Sequence, residues 1–255
     1  MSSLLRLLAT LALVSTSAFS PVQAQTPPPP PGPKPDASAA IEKVDASGRF
    51  QKMHASFLAR RTEGPIGVLF LGDSITAGWG KAPDVWEKYY GKFQPANFGI
   101  GGDQTQHVIW RIENGELDGI KPKVVVLMLG TNNTAAHNAD EIAAANKKIV
   151  KLIRTKLPQT KVLLLAVFPR GPRKDKDGKI LDDAISRTAI INKVNAQLAK
   201  LDDGKNVRFL NINKKFLDAS GRIPDSIMPD QLHPNAAGYQ IWADAMQPTL
   251  VAMMK

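Results

Sequence analysis

The chain has 255 residues, 43% hydrophobic and 22% charged, with a formal net charge of +10 and no cysteine. That composition suits a globular core of ordinary size and excludes disulfide staples, a thiol nucleophile and any thiolate metal site. The basic excess is dispersed, aromatic residues are few and no nucleic-acid motif accompanies the charge, so no nucleic-acid partner is expected.

The N-terminus reads as an export signal over residues 1–24. Arg6 supplies a positive start, Leu7 to Ala18 a short apolar core, and Val22-Gln23-Ala24 a small-residue cleavage site before Gln25. The apolar run falls short of the roughly 20 residues that span a bilayer. The expected destination is therefore the periplasm or the exterior, without stable membrane insertion after cleavage. Residues 25–39 follow as a tether, because PPPPPGPKP (27–35) carries seven prolines in nine positions and favours extended polyproline geometry. A single domain is expected over 40–255, opening with a helical lead-in, IEKVDASGRFQKMHASFLARR.

Apolar runs and helical patterns then alternate. The runs GVLFL (67–71), ANFGI (96–100), VVVLML (124–129), KVLLLAVF (161–168) and VRFLNI (207–212) read as buried strands. Helical patterns fall at 84–91, 104–117, 139–157, 184–201 and 236–253, with Ile142, Ile149, Leu152 and Ile153 on one face of the third. This alternation predicts an α/β fold, a doubly wound parallel sheet covered on both faces. In such sheets ligands bind beyond the carboxyl ends of the strands. Three polar motifs sit there: Gly72-Asp73-Ser74, Gly101-Gly102-Asp103 and Gly130-Thr131-Asn132-Asn133. The basic cluster Arg170, Arg173, Lys174, Lys176 and Lys179 is interleaved with Asp175, Asp177, Asp182 and Asp183, and reads as a solvated loop.

Ser74 suits either a helix cap or a nucleophile, and a nucleophilic serine needs a base. Of the four histidines, His54 precedes the sheet, His107 lies within a helical pattern and His137 lies in a polar segment expected to be exposed. His233 differs. It occupies the loop-like MPDQLHPN (228–235), with Asp230 three residues upstream, close enough in one turn for carboxylate–imidazole contact. Asp-x-x-His alone is equally a cap beside a surface histidine. Acyl transfer also needs oxyanion donors, and the Gly102 N–H, the Asn132 amide and the Ser74 N–H are candidates. Turns and caps account for each singly; they do not account for the joint occurrence at strand ends. Asp73, adjacent to the serine, is assigned a structural role in the loop. A non-catalytic carbohydrate- or cell-wall-binding protein on the same scaffold is the competing class.

The segments GDSITAGW (72–79), NFGIGGDQTQHVIWRIENGEL (97–117), KPKVVVLMLGTNN (121–133), FPRG (168–171) and PDQLHPNAAGY (229–239) resemble the GDSL/SGNH hydrolase family. The likeness is greatest to the branch containing the catalytic subunits of intracellular platelet-activating factor acetylhydrolase and their bacterial relatives. The resemblance implies a three-layer α/β/α sandwich on a five-stranded parallel sheet. It implies Ser74 as nucleophile, Asp230 and His233 completing a triad, and Ser74, Gly102 and Asn132 forming the oxyanion hole. No metal and no other cofactor is implied. The implied activity is a serine esterase acting on short, chiefly acetyl, esters, with acetylated carbohydrate or a phospholipid as candidate substrates, in a monomer or homodimer. The charged segment 172–187 is longer than its counterpart in the animal enzymes, so substrate preference does not transfer if that segment borders the pocket.

Overall fold

The computed structural model of the chain describes residues 34–175, 177–182 and 184–255. The export segment, the proline run up to residue 33, Lys176 and Asp183 lie outside the described residues.

Five parallel strands form one sheet: β1 (Val68–Gly72), β2 (Pro95–Gly99), β3 (Val124–Met128), β4 (Lys161–Leu165) and β5 (Val207–Leu210). Their spatial order is β2-β1-β3-β4-β5. Strand order therefore reverses between β1 and β3, the topological position at which open α/β sheets bind ligands. Among the described residues seven α-helices accompany the sheet: α1 (Arg49–Arg60), α2 (Ser74–Ala77), α3 (Pro83–Tyr90), α4 (Thr105–Arg111), α5 (Ala139–Lys156), α6 (Ala184–Leu198) and α7 (Ala236–Met254).

Strand side chains alternate between faces, and the core divides accordingly. Leu69, Leu71, Val125, Leu127, Val162 and Leu164 pack with residues of α1, α4, α5 and α6, including Phe57, Ile109, Ile149 and Val194. Val68, Phe70, Val124, Val126, Leu163 and Leu165 pack with Tyr90 of α3 and with Trp242, Met246 and Leu250 of α7. A strand buried on both faces must be apolar at every position, which is why these strands read as uninterrupted hydrophobic runs. The layering is the expected α/β/α sandwich.

Element boundaries shifted where local chemistry intervened. The lead-in is helical only from Arg49. Asp45 accepts the amides of Ser47 and Phe50, and Gly48 adopts a left-handed φ of 65°. The pattern over 104–117 breaks after Arg111 into an irregular turn, Ile112–Glu116, with Gly115 at φ 93°. The run 161–168 stops pairing at Leu165, yet Ala166, Val167 and Phe168 stay buried, so burial outlasts the ladder.

Residues 34–39, within the range read as tether, lie against the domain. Thr105 Oγ1 donates to the Ala37 carbonyl at 2.8 Å, Lys34 pairs with Glu141, and Ala37 is buried. These contacts explain a second correction. His137 is buried rather than exposed, with Nε2 2.8 Å from the Pro35 carbonyl oxygen.

Candidate active site

Strand β1 ends at Gly72, paired in register with Gly99 of β2 and Met128 of β3. A Cβ at Gly72 would collide with Thr76 Oγ1 and stand 2.5 Å from the Met128 carbonyl oxygen, so the turn into α2 closes only over glycine. Asp73 caps α2: its Oδ1 accepts the Ile75 N–H at 2.9 Å. Its side chain is thereby engaged beneath the loop, consistent with a structural role. Burial, with the neighbouring Asp103 charge adding to it, pushes the Asp73 carboxyl up to about 7. Ser74 is the next residue, half-buried at the start of α2.

The C-terminal loop meets Ser74 from the other end of the sequence. Ser74 Oγ lies 2.9 Å from His233 Nε2, and His233 Nδ1 lies 2.6 Å from Asp230 Oδ2. The second Asp230 oxygen, Oδ1, accepts the backbone N–H groups of His233 at 2.7 Å and Leu232 at 3.2 Å. Burial acts to raise the Asp230 carboxyl, but the hydrogen bonds from the His233 backbone and ring outweigh it and hold the group below its usual range. The ring is thus held by an ionised carboxylate with Nε2 turned toward the serine. The following helix, α7, starts immediately afterwards, capped by Asn235 Oδ1 on the Gly238 N–H at 3.1 Å. Tyr239 in its first turn donates to the Ile75 carbonyl at 2.7 Å, tying the segment that follows His233 to the helix that begins at Ser74.

The other two loops are stitched to each other. Ile100 N donates to the Gly72 carbonyl at 3.3 Å, bringing the turn after β2 against the end of β1. Gly102 is exposed with φ 75°, a conformation that favours glycine. Asn132 Nδ2 donates to the Asp103 carbonyl at 2.8 Å, which uses one of the two amide hydrogens. Thr105 N and Asn133 Oδ1 join the same loops at 2.9 Å. Gly102 and Asn132 are therefore held at one sheet end with Ser74, in loops linked through Asp103, while the direct side-chain contacts of Ser74 run to His233.

Several participants were not singled out from the sequence. Arg111, fully buried on α4, donates to Glu116, to the Phe98 carbonyl at 3.1 Å and to the Gly72 carbonyl at 3.4 Å; its Nε lies 3.1 Å from Asp103 Oδ2. It pins the ends of β1 and β2 beneath the serine loop. An arginine on an otherwise apolar helical face, with Asp103 before it and Glu116 after it, was the available signal. Burial pushes the Asp103 carboxyl up to about 6 against the opposing pull of Arg111 and Lys43. His107 takes part in capping α4. Burial, with the Lys43 and Arg111 charges, lowers it to about 4, and its Nδ1 accepts the Gln104 N–H at 3.0 Å.

The charged segment does border the site. Arg173 Nη2 lies 3.7 Å from Asp230 Oδ2. Arg170 is buried, paired with Asp182 and 3.3 Å from Thr131 Oγ1, so this part of the cluster is a structural ion pair and not a solvated face. A cavity of about 760 Å³ opens beside the loop that carries Asp230 and His233, lined by Arg170, Pro172, Thr188, Ile223 and Gln231 among others.

The model of the GDSL-like lipase/acylhydrolase family matches residues 70–241. Platelet-activating factor acetylhydrolase IB subunit alpha1 of Homo sapiens is 32% identical over 218 residues, covering 84% of this chain and 88% of the relative. Among solved structures, a GDSL-like lipase from Bacteroides thetaiotaomicron aligns with a TM-score of 0.62 at 19% identity, covering 78% of this chain and 97% of that one. A carbohydrate esterase family 3 structure from Talaromyces cellulolyticus aligns with a TM-score of 0.54 at 23% identity, covering 73% and 97%. At such identities the structural likeness speaks for the fold.

Proposed function

This chain belongs to the GDSL-like lipase/acylhydrolase family and is an ester-hydrolysing enzyme; from that premise we propose that it is an exported serine esterase releasing short, chiefly acetyl, groups through a Ser74–His233–Asp230 triad. One observation carries the proposal. The contacts Ser74 Oγ to His233 Nε2 and His233 Nδ1 to Asp230 Oδ2, at 2.9 and 2.6 Å, form an unbroken relay between residues 159 positions apart.

In the proposed reaction, Ser74 Oγ attacks the ester carbonyl carbon while its proton passes to His233 Nε2. Asp230 fixes the tautomer that leaves Nε2 unprotonated beforehand and stabilises the imidazolium formed. The carbonyl oxygen becomes an oxyanion received by the N–H groups of Ser74 and Gly102 and the Asn132 amide. Collapse breaks the bond to the alcohol oxygen, which takes the proton from His233. Water then attacks the acyl-enzyme, giving its proton to the same nitrogen. Collapse of this second adduct releases the acid and returns the proton to Ser74.

The acetyl preference and a carbohydrate substrate rest on the kinds of relative found, a platelet-activating factor acetylhydrolase subunit and a carbohydrate esterase. Export rests on residues 1–24. The enzyme works as a monomer or homodimer, with no stable membrane insertion. A second reading, a phospholipid or lysophospholipid acylhydrolase, draws on a different observation. Ile180, Leu181 and Ile185 are exposed on the segment that carries Arg173 to Asp230, which suits an apolar substrate surface.

Ser74→Ala tests the mechanism. Hydrolysis of p-nitrophenyl acetate should fall about 10⁶-fold, the scale of deleting a serine nucleophile, with an unchanged thermal melt. Substantial residual turnover would remove Ser74 from the reaction. Acetylated xylan, acetylated sugars, lysophospholipid and p-nitrophenyl esters of increasing chain length separate the two substrate readings.

A further inference from the structure

We infer that Lys43, which lies outside the 70–241 family match, is a positioning residue that strengthens the Gly102 N–H as an oxyanion donor. The inference rests on the proposed role of Gly102. Lys43 Nζ donates to the Gly101 carbonyl oxygen at 2.6 Å. That carbonyl and the Gly102 N–H are opposite ends of one planar, resonance-coupled peptide unit. A cation bound to the oxygen draws electron density through the unit, so the N–H at the other end becomes a better donor. Hydrogen bonds in series polarise one another in this way by about 10–30% per bond. The same contact fixes the plane of a peptide whose glycines would otherwise leave it free to rotate.

Lys43 also answers a nearby opposing charge. Asp103, fully buried, is the residue after Gly102, and a carboxylate there repels an oxyanion forming on that loop. Lys43 Nζ is 3.6 Å from Asp103 Oδ1, and Arg111 Nε is 3.1 Å from Oδ2, so each oxygen faces a cation. The ammonium also crowds Gly102, since a Cβ there would stand 3.0 Å from Nζ. The lead-in is anchored well enough to hold the lysine in place. Ile41 N donates to the Gln106 carbonyl at 3.2 Å, and Lys148 Nζ donates to the Ser38 carbonyl at 2.9 Å. A segment preceding the sheet thus reaches back to tune the turn after β2.

The test compares Lys43→Met and Lys43→Arg in the full chain, using p-nitrophenyl acetate kinetics, thermal melts and inhibition by a trifluoromethyl ketone. The ketone adds to the serine and places an oxyanion in the hole. Losing a whole oxyanion donor costs about 10²–10³ in turnover, so losing the cation that strengthens one donor by about 10–30% should lower kcat about 2- to 8-fold. KM should stay nearly constant, ketone inhibition should weaken in proportion to kcat, and Lys43→Arg should recover most of both. Unchanged kcat in Lys43→Met, or a fall in kcat with undiminished ketone inhibition, would overturn the inference. If Ser74→Ala is inert while Lys43→Met is normal, only this inference fails; if Ser74→Ala is active, the triad assignment fails with it.

Discussion

Replacing Asp230 by asparagine isolates what the carboxylate does for the imidazole. Asp230 Oδ1 accepts two backbone N–H groups, from His233 at 2.7 Å and Leu232 at 3.2 Å. An asparagine in the same place must keep its oxygen on those two donors, because an amide nitrogen there would oppose N–H to N–H. Its NH₂ group then faces His233 Nδ1, where Oδ2 now lies at 2.6 Å. The ring answers by accepting at Nδ1 and carrying its proton on Nε2, pointed at Ser74. That tautomer cannot take the serine proton. An imidazole locked this way loses about 10⁴ in turnover, or about 5 kcal/mol at 1.36 kcal/mol per decade. The assay is steady-state hydrolysis of p-nitrophenyl acetate at neutral pH, with a thermal melt to verify folding. Retention of turnover within about tenfold of wild type, in a folded variant, would show that the Asp230 contact does not set the tautomer.

Two further outcomes concern the buried charges under the serine loop. Asp73 is raised to about 7 by burial, so its stabilising contribution is complete below the ordinary carboxyl value of 3.8 and is lost as pH rises through about 7. Asp73→Asn keeps an oxygen for the Ile75 N–H but cannot ionise; its stability relative to wild type should rise by about 2–3 kcal/mol between pH 5 and pH 7–8, at about 1.4 kcal/mol per pH unit. Parallel melting curves across that range would contradict the raised value. Arg111→Met leaves Asp103 and Glu116 buried without their guanidinium and should destabilise the fold by about 3–5 kcal/mol, lowering Tm by roughly 6–20 °C for a domain of this size. A shift below about 3 °C would mean that the two carboxyls are satisfied without Arg111.

Much of the site was legible because a parallel sheet collects its chemistry at one edge. Gly72-Asp73-Ser74, Gly101-Gly102 and Asn132 were recognisable as strand-end motifs, and Asp230 and His233 as neighbours within a single turn. The charges that brace those motifs were not. Arg111 sits within an apolar helical stretch, and Lys43 in a lead-in that reads as helix but runs non-helically up to Gly48 before α1 begins. His137 reads as exposed from its polar neighbours, yet the Pro35 carbonyl meets it from 102 residues away. Arg170 reads as part of a solvated loop, yet it is buried against Asp182 and Thr131.

The sequence by itself determined the alternation of strands and helices, the buried faces and which residues are candidates for the reacting groups. Those properties follow from local periodicity and from residue types that only certain chemistry requires. Only the tertiary structure decided that Ser74 Oγ meets His233 Nε2, which oxygen of Asp230 holds the ring, and that Lys43 reaches the Gly101 carbonyl. Each depends on distances between distant segments, set by strand order and side-chain packing, and no local pattern encodes those distances.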